Sequence, residues 1–274
     1  MKSYSRTELA TFIANRLQEE QHALKKKYQN TVDAVGHFYI DDVLPKEIAT
    51  ACNSLFPKPE EMRQLKSLKE FKHVSAQMNK HDHILEDVLY AFQDARVVAL
   101  IKDITGIEGL LPDESLYAGG LSLMKKGNFL NPHLDNSHDN AMQKWRVLNL
   151  LFYVSPDWQL PYGGHLELWP QGVKGEPILI ESKFNRLVVM ATHQRSWHSV
   201  NRVTVDKSRC CISNYYFSDT PLTNEDRTHV TLFKSRPEEK LRGIVLEADA
   251  LLRTLVRKVF KKGIRKNPHY YKKS

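Results

Sequence analysis

The chain has 274 residues, 41% of them hydrophobic, and a formal charge of +8. That is enough apolar material for one large domain with additions, or two small domains, and too much for a disordered chain. Three cysteines, two of them adjacent (Cys210 and Cys211), exclude a disulfide framework, and no zinc-type cysteine spacing occurs.

All three thiols read as buried groups of a reducing compartment. The opening Met1-Lys-Ser-Tyr-Ser-Arg6 has no apolar signal region, and no apolar run reaches the length of a membrane span. A soluble, cytoplasmic protein is expected.

In chain order, Ser5-x-x-Glu8 reads as a capping box, and Leu9, Phe12, Ile13, Ala14 and Leu17 fall near helical period, which predicts a helix over 6–28. His37 to Asp41 reads as a short strand, and Pro45 to Leu55 as a helix. Residues 58–82 are charged and irregular, part loop and part helix. Ile84 to Gly106 reads as one helix. After Pro112 the pattern changes to short apolar runs at 116–124, 146–154, 164–169, 177–181, 186–191, 198–203 and 209–217, parted by turn residues. Such closely spaced strands predict a jelly roll or barrel. From Asn224 helical period returns, with an apolar stripe from Leu241 to Phe260 edged by Arg242, Arg253 and Arg257. Lys258 to Ser274 then holds seven Lys or Arg and no acid. The expected fold is mainly β with flanking helices. It divides into an N-terminal helix at 1–34, a domain at 35–222, and a C-terminal helix and basic tail at 223–274.

Two segments carry chemistry, Asn131-Pro-His133-Leu-Asp135 and Ser196-Trp-His198-Ser-Val200. Two imidazoles and one carboxylate on one face of a metal leave the other face open, the ligand set of non-haem Fe(II) enzymes that activate O₂. Side chains alternate along a strand, so positions 133 and 135 would point the same way and His198 could come from a neighbour. Arg209 stands eleven residues after His198 inside a run, Arg209 to Phe217, that reads as a buried strand. A fixed cation in a core needs an anion, and the planar guanidinium can grip a carboxylate with two bonds. Together these predict an iron site served by a dicarboxylate co-substrate.

From about Val35 to Thr220 the chain resembles the Fe(II)/2-oxoglutarate dioxygenase superfamily, and within it the prolyl-hydroxylase group. The likeness rests on Arg146-Val-Leu-Asn-Leu-Leu-Phe-Tyr153 with the turn Val-Ser-Pro-Asp-Trp158, on Gly163-Gly-His-Leu-Glu-Leu-Trp-Pro170, on Lys183-Phe-Asn-Arg-Leu-Val-Val189, and on His198, Val200 and Arg209. It implies a double-stranded β-helix core, or jelly roll, that uses Fe(II), 2-oxoglutarate and O₂, with ascorbate a candidate reductant. It implies His133, Asp135 and His198 as the iron ligands and catalytic centre. Arg209 would pair with the distal carboxylate of 2-oxoglutarate, with Tyr153 assisting. Asn149 and Leu151 share the parity of Tyr153 and would face the same cavity. The implied reaction is decarboxylation of 2-oxoglutarate to succinate and CO₂ coupled to hydroxylation of an unactivated C–H bond. Relatives that halogenate lack the carboxylate that Asp135 supplies. One departure stands out: the tyrosine that the group often carries about ten residues before the first ligand is replaced here by Leu123-Met124.

Other polar residues admit plainer readings. His138 and Asp139 read as a polar turn before spare ligands. His165 and Glu167 either line the pocket or serve packing. His193 reads as a loop residue, and Trp197 as packing before substrate stacking. Tyr215 shares the parity of Arg209 and would face the cavity. Gly163-Gly164 reads as a turn, since no P-loop lysine follows.

Two rival functions are a nucleic-acid or protein demethylase of the same superfamily and a non-catalytic jelly-roll binding protein. Nucleic-acid demethylases carry a second Arg six residues after the first, where this chain has Tyr215, which argues against nucleic acid as partner. The primary substrate stays open among small molecules, peptidyl residues, carrier-tethered groups, lipids and glycans. The basic C-terminal segment would offer a contact to an acidic partner or to a membrane surface.

Overall fold

The computed structural model describes residues 4–239 and 269–271. The expected C-terminal helix over 241–260 lies outside the described residues, as does most of the basic tail.

The helices are α1 (Arg6–Glu19), α2 (Gln21–Gln29), α3 (Lys46–Ser54), α4 (His83–Ala91) and α5 (Ala95–Thr105). The capping box is present: the Ser5 hydroxyl accepts from the Glu8 N–H, and the Glu8 carboxylate accepts from the Ser5 N–H. The helix expected over 6–28 is two helices, because the chain leaves helical geometry at Glu20. The helix expected over 84–106 is also two. There Asp94 starts a new helix by accepting from the Arg96 N–H, and Gly106, left-handed at φ 74°, ends it.

The strands are β1 (His37–Ile40), β2 (Arg63–Lys66), β3 (Glu70–Ser75), β4 (Leu111–Pro112), β5 (Gly120–Met124), β6 (Phe129–Leu134), β7 (Trp145–Tyr153), β8 (Leu166–Leu168), β9 (Ile178–Ile180), β10 (Arg186–Ala191), β11 (His198–Val200), β12 (Arg209–Ser218) and β13 (Leu232–Phe233). Every expected run after Pro112 contains a strand. Within 58–82, short helical turns at Pro59–Glu61 and Met78–Lys80 flank an unexpected hairpin of β2 and β3; 129–134 is a strand outside the expected apolar runs; and 224–239 forms β13 and turns rather than helix.

The hydrogen-bonded path runs β1-β10-β7-β12-β5-β3-β6-β11-β8-β9, antiparallel at every step. It curls so that β8, β11 and β6 face β10, β7 and β12. This is the mainly β jelly-roll fold with flanking helices. Residue parity separates two cores. Leu148, Leu150, Phe152, Val189 and Ile212 point outward and pack under Leu9, Ile13, Val88 and Ile101 of the helices. Tyr153, Val188, Met190 and Cys211 point inward against Leu166, Leu168 and Ile180. The helices therefore seal one face of the larger sheet and leave its other face to the cavity.

Candidate active site

His133 lies near the end of β6 and Asp135 just beyond it, while His198 opens β11 and pairs directly across the ladder with His133. His133 Nε2 is 3.6 Å from Asp135 Oδ1, and His198 Nε2 is 3.7 Å from Asp135 Oδ2. Donors bound to one ion at about 2.1 Å lie no more than about 4.2 Å apart, so both spacings suit a shared metal. The donor atoms of all three lie within 4.8 Å of one another. Each imidazole donates its Nδ1 proton to the backbone carbonyl two residues earlier, Asn131 at 3.0 Å and Ser196 at 2.9 Å. That fixes the tautomer and leaves both Nε2 lone pairs directed inward. Burial would raise the Asp135 carboxyl, but the adjoining His133, His198 and Arg146 hold it well below the usual carboxylate range. Burial, followed by the neighbouring His133, pushes the His198 imidazole down to about 4, so it is neutral at pH 7 and ready to bind a metal. Donor types, tautomers and charge all fit a divalent iron.

On the other side of the cavity Arg209 is buried at the start of β12. Its Nε donates to Ser182 Oγ at 3.3 Å, and its guanidinium lies 4.6 Å from the Tyr153 ring centroid. Among the described residues, no carboxylate lies within ion-pair distance of it. The Tyr153 hydroxyl is buried beside it with no hydrogen-bond partner. An unpaired cation next to an orphaned hydroxyl is a cradle for a carboxylate that arrives from outside the chain. Gly164 shapes this corner: its carbonyl accepts from Ser182 Oγ at 2.7 Å, and at φ 70° a Cβ there would sit 3.0 Å from Val203 and 3.5 Å from Arg209. Asn149 and Leu151 line the same cavity, with Asn149 Nδ2 3.4 Å from Asp135 Oδ2. Met124, across the ladder from Arg209, also lines it, where the resembled group often has its tyrosine.

Other singled-out residues have structural partners. Asp139 Oδ1 accepts from the Gln143 and Lys144 N–H groups and closes a turn, and the His138 Nδ1 donates to the Asp139 carbonyl. His165 accepts from the Ser182 N–H and donates to the Leu160 carbonyl, which positions the serine that Arg209 uses. Glu167 is buried in an ion pair with Arg236 at 2.5 Å and accepts from Ser199 Oγ. The pocket-lining alternative for His165 and Glu167 does not hold, because it is Leu166 of β8 that faces the cavity. His193 Nδ1 accepts from the Arg195 N–H, and Trp197 packs under the Lys234 ammonium at 4.4 Å.

Tyr215 does line the cavity, and the buried Arg146 guanidinium lies 3.8 Å from its ring centroid. Burial, then the Asp135 charge, raises the Tyr215 phenol. Three residues escaped sequence reasoning. Phe233 of β13 stacks on His133 at 5.3 Å and 18°. Lys72 of β3 and His269 line the cavity. Their positions follow from long-range packing that no local motif announces.

Comparison with known proteins gives first a class of enzyme: residues 119–217 match the model of the 2OG-Fe(II) oxygenase superfamily. The matched stretch contains His133, Asp135, His198 and Arg209, and members of that superfamily use Fe(II) and 2-oxoglutarate with O₂ as co-substrate. No curated protein sequence matches the chain. Among solved structures, a prolyl 4-hydroxylase from Phytophthora capsici superposes with a TM-score of 0.54 at 17% identity, over 95% of this chain and 82% of that one. A prolyl-4-hydroxylase from Pseudomonas putida gives 0.51 at 16%, over 70% and 97%. HygX from Streptomyces hygroscopicus, solved with nickel, 2-oxoglutarate and hygromycin B, gives 0.51 at 12%, over 75% and 95%. These three share the fold.

Proposed function

We propose that this chain is a hydroxylase that inserts oxygen into an unactivated C–H bond of a primary substrate while 2-oxoglutarate is decarboxylated to succinate and CO₂. The observation that carries the reading is the unpaired Arg209 beside the orphaned Tyr153 hydroxyl, across the cavity from His133, Asp135 and His198. In this reading the three donors hold Fe(II), and Arg209 with Tyr153 takes the distal carboxylate of 2-oxoglutarate. Bound iron and co-substrate supply the oxidising chemistry. The protein supplies position and dryness: Leu151, Leu166 and Val200 wall the cavity with hydrocarbon, and the backbone carbonyls of Asn131 and Ser196 keep both imidazoles in the ligating tautomer. Asp135 occupies the position that halogenating relatives leave for halide, which favours hydroxylation.

Tyr215 supports a substrate other than nucleic acid. It stands where nucleic-acid demethylases carry their second arginine, and its ring is held under Arg146. Because two of the structural relatives are prolyl hydroxylases, proline-containing peptides and free proline head the substrate panel. The test is succinate release together with metal stoichiometry. Purified protein should bind one Fe(II) per chain and turn over 2-oxoglutarate, and His198→Ala should abolish both. Full turnover in His133→Ala or His198→Ala would overturn the assignment.

A further inference from the structure

We propose that residues 269–271 are a wall of the primary-substrate pocket, and that the His269 side chain sets how large a group can reach the site. The pocket's role as a substrate pocket rests on the hydroxylase reading above; the existence of the wall does not. These residues follow a basic stretch of sequence that reads as solvated tail, yet they are held against the body. The His269 carbonyl accepts from the Ala118 N–H at 3.1 Å, and the Tyr271 N–H donates to the Ser115 carbonyl at 2.8 Å. Between them the Tyr270 carbonyl accepts from Gln77 Nε2 at 2.6 Å. The Tyr271 ring is buried in the helix-side core. His269 Nε2 donates to the Gly119 carbonyl at 2.8 Å, which lays the imidazole against the loop leading into β5.

Chain segments of this composition ordinarily fray, and ordering each residue costs backbone entropy, so anchoring at three successive residues has to be offset by packing. That packing places His269 in the lining of the cavity that also holds His133, Asp135, His198 and Arg209. The co-substrate cradle is on the β12 side. Arg209 opens that strand, whereas Gly119 lies against Ser213 and Tyr215 further along it; His269, with Ala118, Gly119 and Lys72, therefore lines the end of the cavity away from the cradle, which is the end left for a primary substrate. Burial pushes the His269 imidazole down to about 4, so at pH 7 it is a neutral wall beside the Lys72–Glu70 ion pair.

Cys211 provides a probe inside the cavity, because its thiol lines the same space and is buried, while Cys52 is buried in the helix-side core. The experiment compares the rates at which methyl methanethiosulfonate and the bulkier benzyl methanethiosulfonate modify Cys211, read by peptide mapping of the metal-free protein. In the wild-type protein the small reagent should be strongly favoured. In His269→Gly the bulky reagent should gain about tenfold relative to the small one at Cys211, with Cys52 unchanged. A double variant, Gln77→Ala with Tyr271→Ala, removes the two side-chain anchors without touching the cavity and should accelerate both reagents at Cys211. Deletion of 269–271 should do the same, and reaction of Cys52 would show unfolding of that variant and leave the decision to His269→Gly. An unchanged reagent preference in His269→Gly, with its melting transition intact, would overturn the proposal. Neither reagent needs iron or 2-oxoglutarate, so a failed succinate assay and a failed wall are separate results.

Discussion

Arg209→Met tests the co-substrate cradle at its most loaded point. Methionine keeps the length of the side chain and removes the charge. In the ligand-free protein Arg209 is a buried cation with a single bond to Ser182 Oγ and a ring contact to Tyr153. Removing an unpaired buried charge is not destabilising in itself, so the ligand-free variant should melt at or above the wild-type temperature. The ligand response should show the opposite. A co-substrate held at 100 times its Kd stabilises a folded protein by about 2.7 kcal/mol. For a chain of this size that is a rise of about 5–11 °C in Tm. Truncating one partner of a buried charge pair costs about 2–5 kcal/mol, which weakens binding by about thirtyfold or more. At the same concentration the variant should retain less than about 1 kcal/mol of stabilisation. The assay is thermal melting with Mn(II) and 2-oxoglutarate under nitrogen, which reads binding without turnover. A full ligand-induced shift in Arg209→Met would refute the reasoning and place the anion elsewhere.

Two other substitutions separate neighbouring contributions. Tyr153→Phe removes a buried hydroxyl that has no partner in the chain, so the ligand-free protein should be as stable or more stable, while 2-oxoglutarate affinity measured by titration falls about fivefold, the loss of one neutral hydrogen bond. Asp41→Asn should cost about 1.5–3 kcal/mol at pH 7, because Asp41 accepts two bonds from Arg186, at 2.6 and 3.0 Å, and one from Lys183 at 2.8 Å, clasping the end of β1 to β10. Burial would raise the Asp41 carboxyl, but hydrogen bonds and charge from Arg186 and Lys183 hold it below its ordinary value. A carboxyl depressed in the folded state contributes stability above its unfolded pKa of about 3.9 and loses it as pH falls through the folded value. Urea melts should therefore show a full difference between wild type and Asp41→Asn at pH 7 and a shrinking one at pH 3.

The sequence was most legible where chemistry and alternation coincide. Arg209, Cys211 and Tyr215 on β12, and Asn149, Leu151 and Tyr153 on β7, have the parity that their spacing implies, and all but Tyr153 line the cavity, with the Tyr153 ring against the Arg209 guanidinium. It was least legible where a local rule was overruled at long range. Phe129 to Leu134 contains Pro132, which demotes a run as a strand. The pairing between β6 and β11 shifts register between His198 and Val200, and this irregularity accommodates the proline next to His133. Arg63 to Ser75 is charged throughout, yet it forms a hairpin whose first strand is an exposed edge. Glu167 was placed on the right strand, with pocket lining and packing left open, and it is packing that holds. Both faces of β8 are buried, because the segment around Arg236 covers the polar side, so polarity no longer marks the cavity.

The two hydrogen bonds from the histidine Nδ1 atoms to the carbonyls of Asn131 and Ser196 have an evolutionary corollary. In many metal sites the tautomer of a ligating imidazole depends on a neighbouring carboxylate or amide side chain, which must be retained along with the ligand. Here each histidine is oriented by its own main chain, and a main-chain carbonyl survives every substitution. The tautomers of both imidazoles are thus set without help from any neighbouring side chain. The walls at Lys72, Met124, Tyr215 and His269 are left free to diverge, and a lineage can change what it oxidises without rebuilding the centre that does the oxidising.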